Sequence, residues 1–188
     1  RILLLAVFLA CFVYGAPGRL HPAYVVPPAE DVAPSLYPEW AHEHWVWFSH
    51  GQQNQVADIQ LVHDYLNRGI PVGGLDVDSE WSTGINNMLW DLTKYPNATA
   101  MISELKALGV HTLLWITSMI DEDSSNFAYA KEHGYFIKGI DGVEVIKWWH
   151  GHGAFIDYTN PEGLAWWHSQ MDALLDIGVD GFKTDGTD

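Results

Sequence analysis

The chain has 188 residues, nine of them Lys or Arg and 24 Asp or Glu, for a formal net charge of −15. So acidic a chain argues against nucleic acid or an anionic membrane surface as a partner, because both would repel it. The one cysteine, Cys11, cannot form an intramolecular disulfide, so the fold must rest on a core drawn from the 48% of residues that are hydrophobic.

Arg1 is followed by an apolar run, Ile2 to Tyr14, that ends at the small residues Gly15 and Ala16. This predicts a signal peptide over residues 1–16 lacking its initiator methionine, and hence a secreted protein or one routed to a lysosome-like compartment. The run is short for a membrane span, so stable insertion is not expected, an uncleaved anchor being the alternative. Residues 17–39 hold six of the nine prolines and read as an extended linker.

A first strand is expected from His44 to Ser49. Val56, Ile59, Val62 and Leu66 recur at helical spacing within Asn54 to Ile70, with Gly69 as the stop. Pro71 to Asp78 reads as a buried strand whose period of two puts Leu75 and Val77 on one face and Asp76 and Asp78 on the other. A second helix is predicted from Asn97, its N-cap, to Leu108, with Met101, Leu105 and Leu108 as its stripe and Gly109 as its stop. Asn97-Ala98-Thr99 is also a glycosylation sequon, disfavoured if the Asn97 side chain is engaged as a cap.

His111 to Thr117 is the next strand, followed by a short helix from Ser124 to His133, a loop rich in Trp and His, and a strand over Ala154 to Tyr158. Asn160, Pro161 and Glu162 then form a strong helix start, and that helix carries Trp166, Trp167, Met171, Leu174 and Leu175 to Gly178. In the last strand, Phe182 and Thr184 are expected to pack outward, leaving Lys183 and Asp185 together on the inner face. Trp45, Trp47, Trp166 and Trp167 are expected to fill the core. Asp76 reads as a structural partner for a loop amide or a nearby Lys, and Asp157 and Asp188 as turn caps.

Alternating strands and helices with short turns predict an α/β fold with a parallel sheet covered on both faces. Polar residues gather at the C-terminal ends of strands, where a (β/α)₈ barrel places its site, and no dinucleotide or phosphate-loop motif is present. The expectation is a partial TIM barrel comprising about the first four βα steps over residues 40–188. A complete barrel takes about 250 residues, so the chain is read as a truncated piece with open edges at its first and last strands.

Several motifs in order carry a resemblance. They are Leu75-Asp76-Val77-Asp78-Ser79-Glu80-Trp81, Trp115-Ile116-Thr117-Ser118-Met119-Ile120, Trp149-His150-Gly151, Phe155 to Pro161, and Phe182-Lys183-Thr184-Asp185. From about Pro71 onward the chain resembles glycoside hydrolase family 31, retaining α-glycosidases built on a (β/α)₈ barrel. The resemblance implies hydrolysis of α-glycosidic bonds with Asp185 as nucleophile, Asp78 binding sugar hydroxyls, Trp115, Ile120 and Trp149 shaping the pocket, and Lys183 beside the nucleophile. It places the general acid/base on a later strand, beyond residue 188. Where the family often has Asn-Pro or Asp-Pro this chain has Thr117-Ser118, and where it often has Glu the chain has Asp188.

Two other readings compete. A half-barrel could bind carbohydrate without chemistry, as a relic of an enzyme. His42-Glu43-His44 and His150-Gly151-His152 raise a metal-dependent hydrolase, although His42 and His44 precede or open a strand instead of closing it. The carbohydrate reading requires no cofactor and no metal, and the oligomeric state is left open.

Overall fold

The computed structural model describes residues 38–48 and 51–186. The predicted signal peptide with Cys11, nearly all of the predicted linker, Ser49 and Asp188 lie outside the described residues.

The elements follow in chain order. After a 3₁₀ turn at Glu39–His42 come β1 (His44–Val46), α1 (Gln55–Leu66), β2 (Val72–Val77), a 3₁₀ turn at Ser79–Trp81, α2 (Ala98–Ala107) and β3 (His111–Ile116). A longer excursion holds β4 (Met119–Asp121), α3 (Phe127–Glu132), β5 (Lys138–Gly139), β6 (Gly142–Val143), β7 (Ile146–Lys147) and β8 (His152–Phe155). It leads into α4 (Pro161–Asp176) and β9 (Gly181–Thr184). The main sheet is parallel and four-stranded, in the order β1-β2-β3-β9. Each neighbour is thus the next strand of a barrel wall, and the wall is open among the described residues. The fold is a partial TIM barrel.

Three helices start where the sequence predicts, whereas α3 begins at Phe127, three residues after the predicted Ser124. The Asn54 carboxamide oxygen accepts from the amides of Val56 and Ala57, and that of Asn160 from Glu162 and Gly163. Asn97 caps α2 through its oxygen, which accepts from the Ala100 amide at 3.1 Å. The Asn97 side chain is thus engaged as a cap, as the sequence predicts. Gly69 and Gly109 end their helices with φ of +74° and +81°, a conformation that costs glycine little.

Burial corrects several positions. Val56 is exposed, and the inward residue of the first turn of α1 is Asp58, whose carboxylate accepts from the Tyr95 hydroxyl at 2.8 Å. Leu108 is also exposed, and the α2 face is made by Met101, Ile102 and Leu105. Trp45 and Trp47 are both substantially exposed instead of filling the core, because β1 has a neighbour on one side only. Trp45 lies over the Gly74 backbone and stacks on Trp40 at 5.5 Å. Phe182 packs on the core but Thr184 is exposed, since β9 is the other edge. Trp167 is buried and Trp166 half-buried, as expected.

The strand predicted at Ala154–Tyr158 lies slightly earlier, as β8, and stays out of the parallel sheet. It pairs antiparallel with β4 and β7 in a small sheet standing on the C-terminal side of β3. The core between sheet and helices is continuous, joining Val62, Leu75, Val77, Met101, Leu105, Leu114, Trp167 and Leu174.

Asp58 gives a stability prediction. Burial pushes its carboxyl up to about 6, against the pull of the Tyr95 hydrogen bond. An acid held more tightly protonated in the fold than in the unfolded chain supports folding at low pH, and that support is lost as pH rises through 6. At one pH unit per roughly 1.4 kcal/mol, less an amide N–H₂ that gains no partner, Asp58→Asn should raise stability by about 1–2 kcal/mol at pH 7.5 and by less at pH 4.5. Urea unfolding of parent and variant at the two pH values measures it.

Candidate active site

Register builds the inner face in layers. Asp76 aligns with Leu113, which aligns with Gly181, and one layer further along Trp115 aligns with Lys183. Period two then places Asp78 and Asp185 on the same side at the strand ends. Asp185 continues the wall beyond β9, its amide bonding to the Ile116 carbonyl at 2.9 Å.

Lys183 ties the three carboxylates together. Its Nζ lies 3.0 Å from Asp78 Oδ2, 3.4 Å from Asp76 Oδ2 and 3.8 Å from Asp185 Oδ2. Burial works to lower the Lys183 pKa, but the Asp78 hydrogen bond and the charges of Asp76, Asp78 and Asp185 outweigh it, so the ammonium is held above its usual value. Asp76 is only 8% exposed, and burial pushes its carboxyl up to about 6 even though Lys183 pulls it back. This matches the reading of Asp76 as a partner for a lysine. Asp78 also caps the following 3₁₀ turn, accepting from the Ser79 amide at 2.7 Å, and the Gln53 side chain bridges its backbone N–H and C=O.

Asp185 differs from the two aspartates of β2. Its side chain is 45% exposed, and it accepts from the Trp115 indole N–H at 2.7 Å through Oδ2 and from the Gly186 amide at 2.8 Å through Oδ1. The Trp115 bond first, then the Gly186 amide, with Lys183 adding its charge, hold the carboxyl below the usual carboxylate range. It is therefore an ionised, oriented and solvent-reachable carboxylate.

Three tryptophans stand around the Lys183–Asp185 pair in different ways. Trp115 is 2% exposed, so it orients Asp185 from behind. Trp149 is 56% exposed, meets Trp115 edge-on at 6.3 Å, and its indole N–H reaches the Gly186 carbonyl at 3.3 Å. Trp47, just past the end of β1, has its ring 5.4 Å from Lys183 Nζ and is 54% exposed. An exposed indole at the C-terminal end of a barrel strand is a platform for the apolar face of a ligand. Sequence reading ran the first strand on to Ser49 and assigned Trp47 to the core; β1 instead ends at Val46, which leaves Trp47 just beyond it. Ile120 is fully buried in β4, within the wall.

Asn86 was also missed. Buried, and at φ 56°, it donates to the carbonyls of Thr117 and Met119 and accepts from the Thr117 amide, bracing the corner where β3 ends. Asn is among the few residues that enter this backbone region at modest cost. The histidine pairs do not converge. His44 opens β1, aligned with the start of β2, at the far end of the sheet from Asp185, and His150 pairs with Asp121. Among the described residues no three His, Cys, Asp or Glu side chains gather as a ligand set. Asp157 is a turn cap as expected, accepting from the Thr159 amide and hydroxyl.

The glycosyl hydrolases family 31 TIM-barrel domain matches residues 34–188. The chain belongs to glycoside hydrolase family 31. Among curated relatives, it is 29% identical over 157 residues to an alpha-xylosidase of Emericella nidulans, a match covering 81% of this chain and 20% of that protein. It is 28% identical over 145 residues to the mouse myogenesis-regulating glycosidase, covering 74% and 20%. Among solved structures, the family 31 alpha-xylosidase from a soil metagenome complexed with xylose superposes with a TM-score of 0.70 at 26% identity, over 79% of this chain and 22% of that one. The chain thus spans about a fifth of the length of the curated relatives it matches.

The Trp115–Asp185 bond carries a prediction. Trp115→Phe keeps the ring but removes the donor, so the Asp185 pKa should rise. A hydrogen bond to a charged group, discounted for the exposure of Asp185, is worth about tenfold in rate. The acidic limb of the kcat/KM profile should move to higher pH in the variant, as a pH series measures.

Proposed function

We propose that this protein, in its full-length form, hydrolyses α-glycosidic bonds with retention of anomeric configuration, Asp185 being the nucleophile. The observation that carries the reading is the state of Asp185: exposed, ionised and aimed by two N–H donors, with an ammonium 3.8 Å away. In the first step a carboxylate oxygen attacks the anomeric carbon, the glycosidic C–O bond breaks, and a proton is delivered to the leaving oxygen. In the second step water, losing its proton to the same acid/base group, cleaves the glycosyl ester and frees Asp185.

A retaining pair needs its second carboxyl about 5–5.5 Å from the first, across the scissile bond. Asp76 and Asp78 are bound to Lys183 on the same inner face as the nucleophile. Membership of family 31 implies that the acid/base comes from a later barrel strand, beyond residue 188. Asp78 is proposed to accept from sugar hydroxyls, with Trp149 lining the subsite, the buried Trp115 and Ile120 shaping it from within the wall, and Lys183 holding the carboxylates together. The substrate class is an α-linked glucoside, xyloside or galactoside, and secretion or a lysosome-like compartment is proposed as its location.

The test is to express the protein from its complete reading frame and assay aryl α-glycosides of these sugars, following the anomer first released. Release of the α-anomer supports the reading. Release of the β-anomer, or sugar binding without turnover, overturns it, the latter in favour of a carbohydrate-binding role. A chelator should leave the rate unchanged.

A further inference from the structure

Trp149 stands on a turn that one buried carboxylate holds from two sides. Asp121, in β4, is almost wholly enclosed, yet it accepts from the Trp148 indole N–H through Oδ1 and lies against His150 Nδ1 through Oδ2, both at 2.7 Å. These two partners immediately flank Trp149. The turn is closed by the Trp148 amide bonding to the Gly151 carbonyl at 3.0 Å.

The sequence makes room for this arrangement. A Cβ on Gly153 would lie 3.1 Å from Asp121 Oδ1 and 2.6 Å from the Ile120 carbonyl, which backbone cannot tolerate. Burying a carboxylate is costly unless donors meet it, and apolar residues would pack this corner more cheaply. Here both donors come from one turn, and Trp149 between them packs on the rings of Trp148 at 4.9 Å and His150 at 5.7 Å and reaches the Gly186 carbonyl and the edge of Trp115, the indole that orients Asp185.

We infer that Asp121 and His150 are positioning residues that fix Trp149 as one wall of the sugar site beside Asp185. The inference rests on the glycosidase reading for its consequence, though not for its geometry. Trp148 anchors the turn in the core, and His150 sets its outer side, so losing the His150 contact leaves the core intact while freeing the turn that carries Trp149. A wall that grips the sugar equally in ground and transition states acts on KM more than on kcat.

The test uses the full-length protein with His150→Ala, Trp149→Ala and the double variant. His150→Ala should raise KM for the best aryl α-glycoside about tenfold with kcat within about twofold, and the double variant should match Trp149→Ala alone, since the two changes act through one contact. His150→Asn, whose side-chain N–H₂ can donate where Nδ1 lies, should restore most of the loss. Independently of turnover, the 5-fluorotryptophan resonance assigned by Trp149→Phe should shift or broaden in His150→Ala and return in His150→Asn. An unmoved resonance, or KM effects that add in the double variant, would overturn the inference. A moved resonance in a protein without glycosidase activity would keep it and discard only the catalytic reading.

Discussion

If Asp185 is the nucleophile, Asp185→Ala in the full-length protein is expected to lower hydrolysis of an activated aryl α-glycoside at least about a thousandfold in kcat, the scale expected when a covalent nucleophile is removed. The expectation is sharp because the carboxylate has no understudy. Asp76 is buried and bound to Lys183, and Asp78 is committed to Lys183 and to the Ser79 amide. Neither can take over attack without breaking the cluster. Alanine leaves space where the carboxylate stood, so azide added to the variant should restore part of the rate and yield the β-glycosyl azide. Azide enters from the side that Asp185 occupied. Product analysis by NMR decides the point, and a variant retaining more than a tenth of parental activity would remove Asp185 from the mechanism.

Lys183→Met should have the second largest effect, through charge alone. With the ammonium gone, Asp76, Asp78 and Asp185 lose the cation that lies within 3.4, 3.0 and 3.8 Å of them. Like charges then oppose one another, so the Asp76 carboxyl, already at about 6, takes up a proton more readily and Asp185 loses part of what holds it ionised. We expect kcat/KM at pH 5 to fall about a hundredfold and less at pH 8, where the carboxylates ionise despite the loss. The sign follows from the direction of the shift: a depressed nucleophile pKa keeps the enzyme active at low pH, and raising it moves the acidic limb upward. A pH–rate profile of parent and variant measures this, and parallel profiles would show that Lys183 acts by packing instead of charge.

Much of this site was legible in the sequence because it depends on short-range rules. Period two in Leu75 to Asp78 and in Phe182 to Asp185 fixes which side chains share a face, whatever the rest of the chain does. Asn54, Asn97 and Asn160 cap their helices because a short polar side chain before a helical run satisfies amides that have no other partner. That the main strands lie parallel followed from elements that alternate with short turns.

What failed was decided at a distance. The apolar stripe that began at Val56 gave way to Asp58, because Tyr95, 37 residues away, supplies a hydroxyl to a buried carboxylate. Trp47 left the core for the site because β1 is an edge and Lys183 lies beneath its ring. The Asp121–His150 contact joins residues 29 apart, and the Lys183–Asp78 bond residues 105 apart. The sequence by itself determined which faces, caps and strand ends carry charge, since those follow from dihedral periodicity and local hydrogen bonding. Only the tertiary structure decided which charge meets which, because burial and partnership depend on strand order and register, and these bring together residues that no local rule relates.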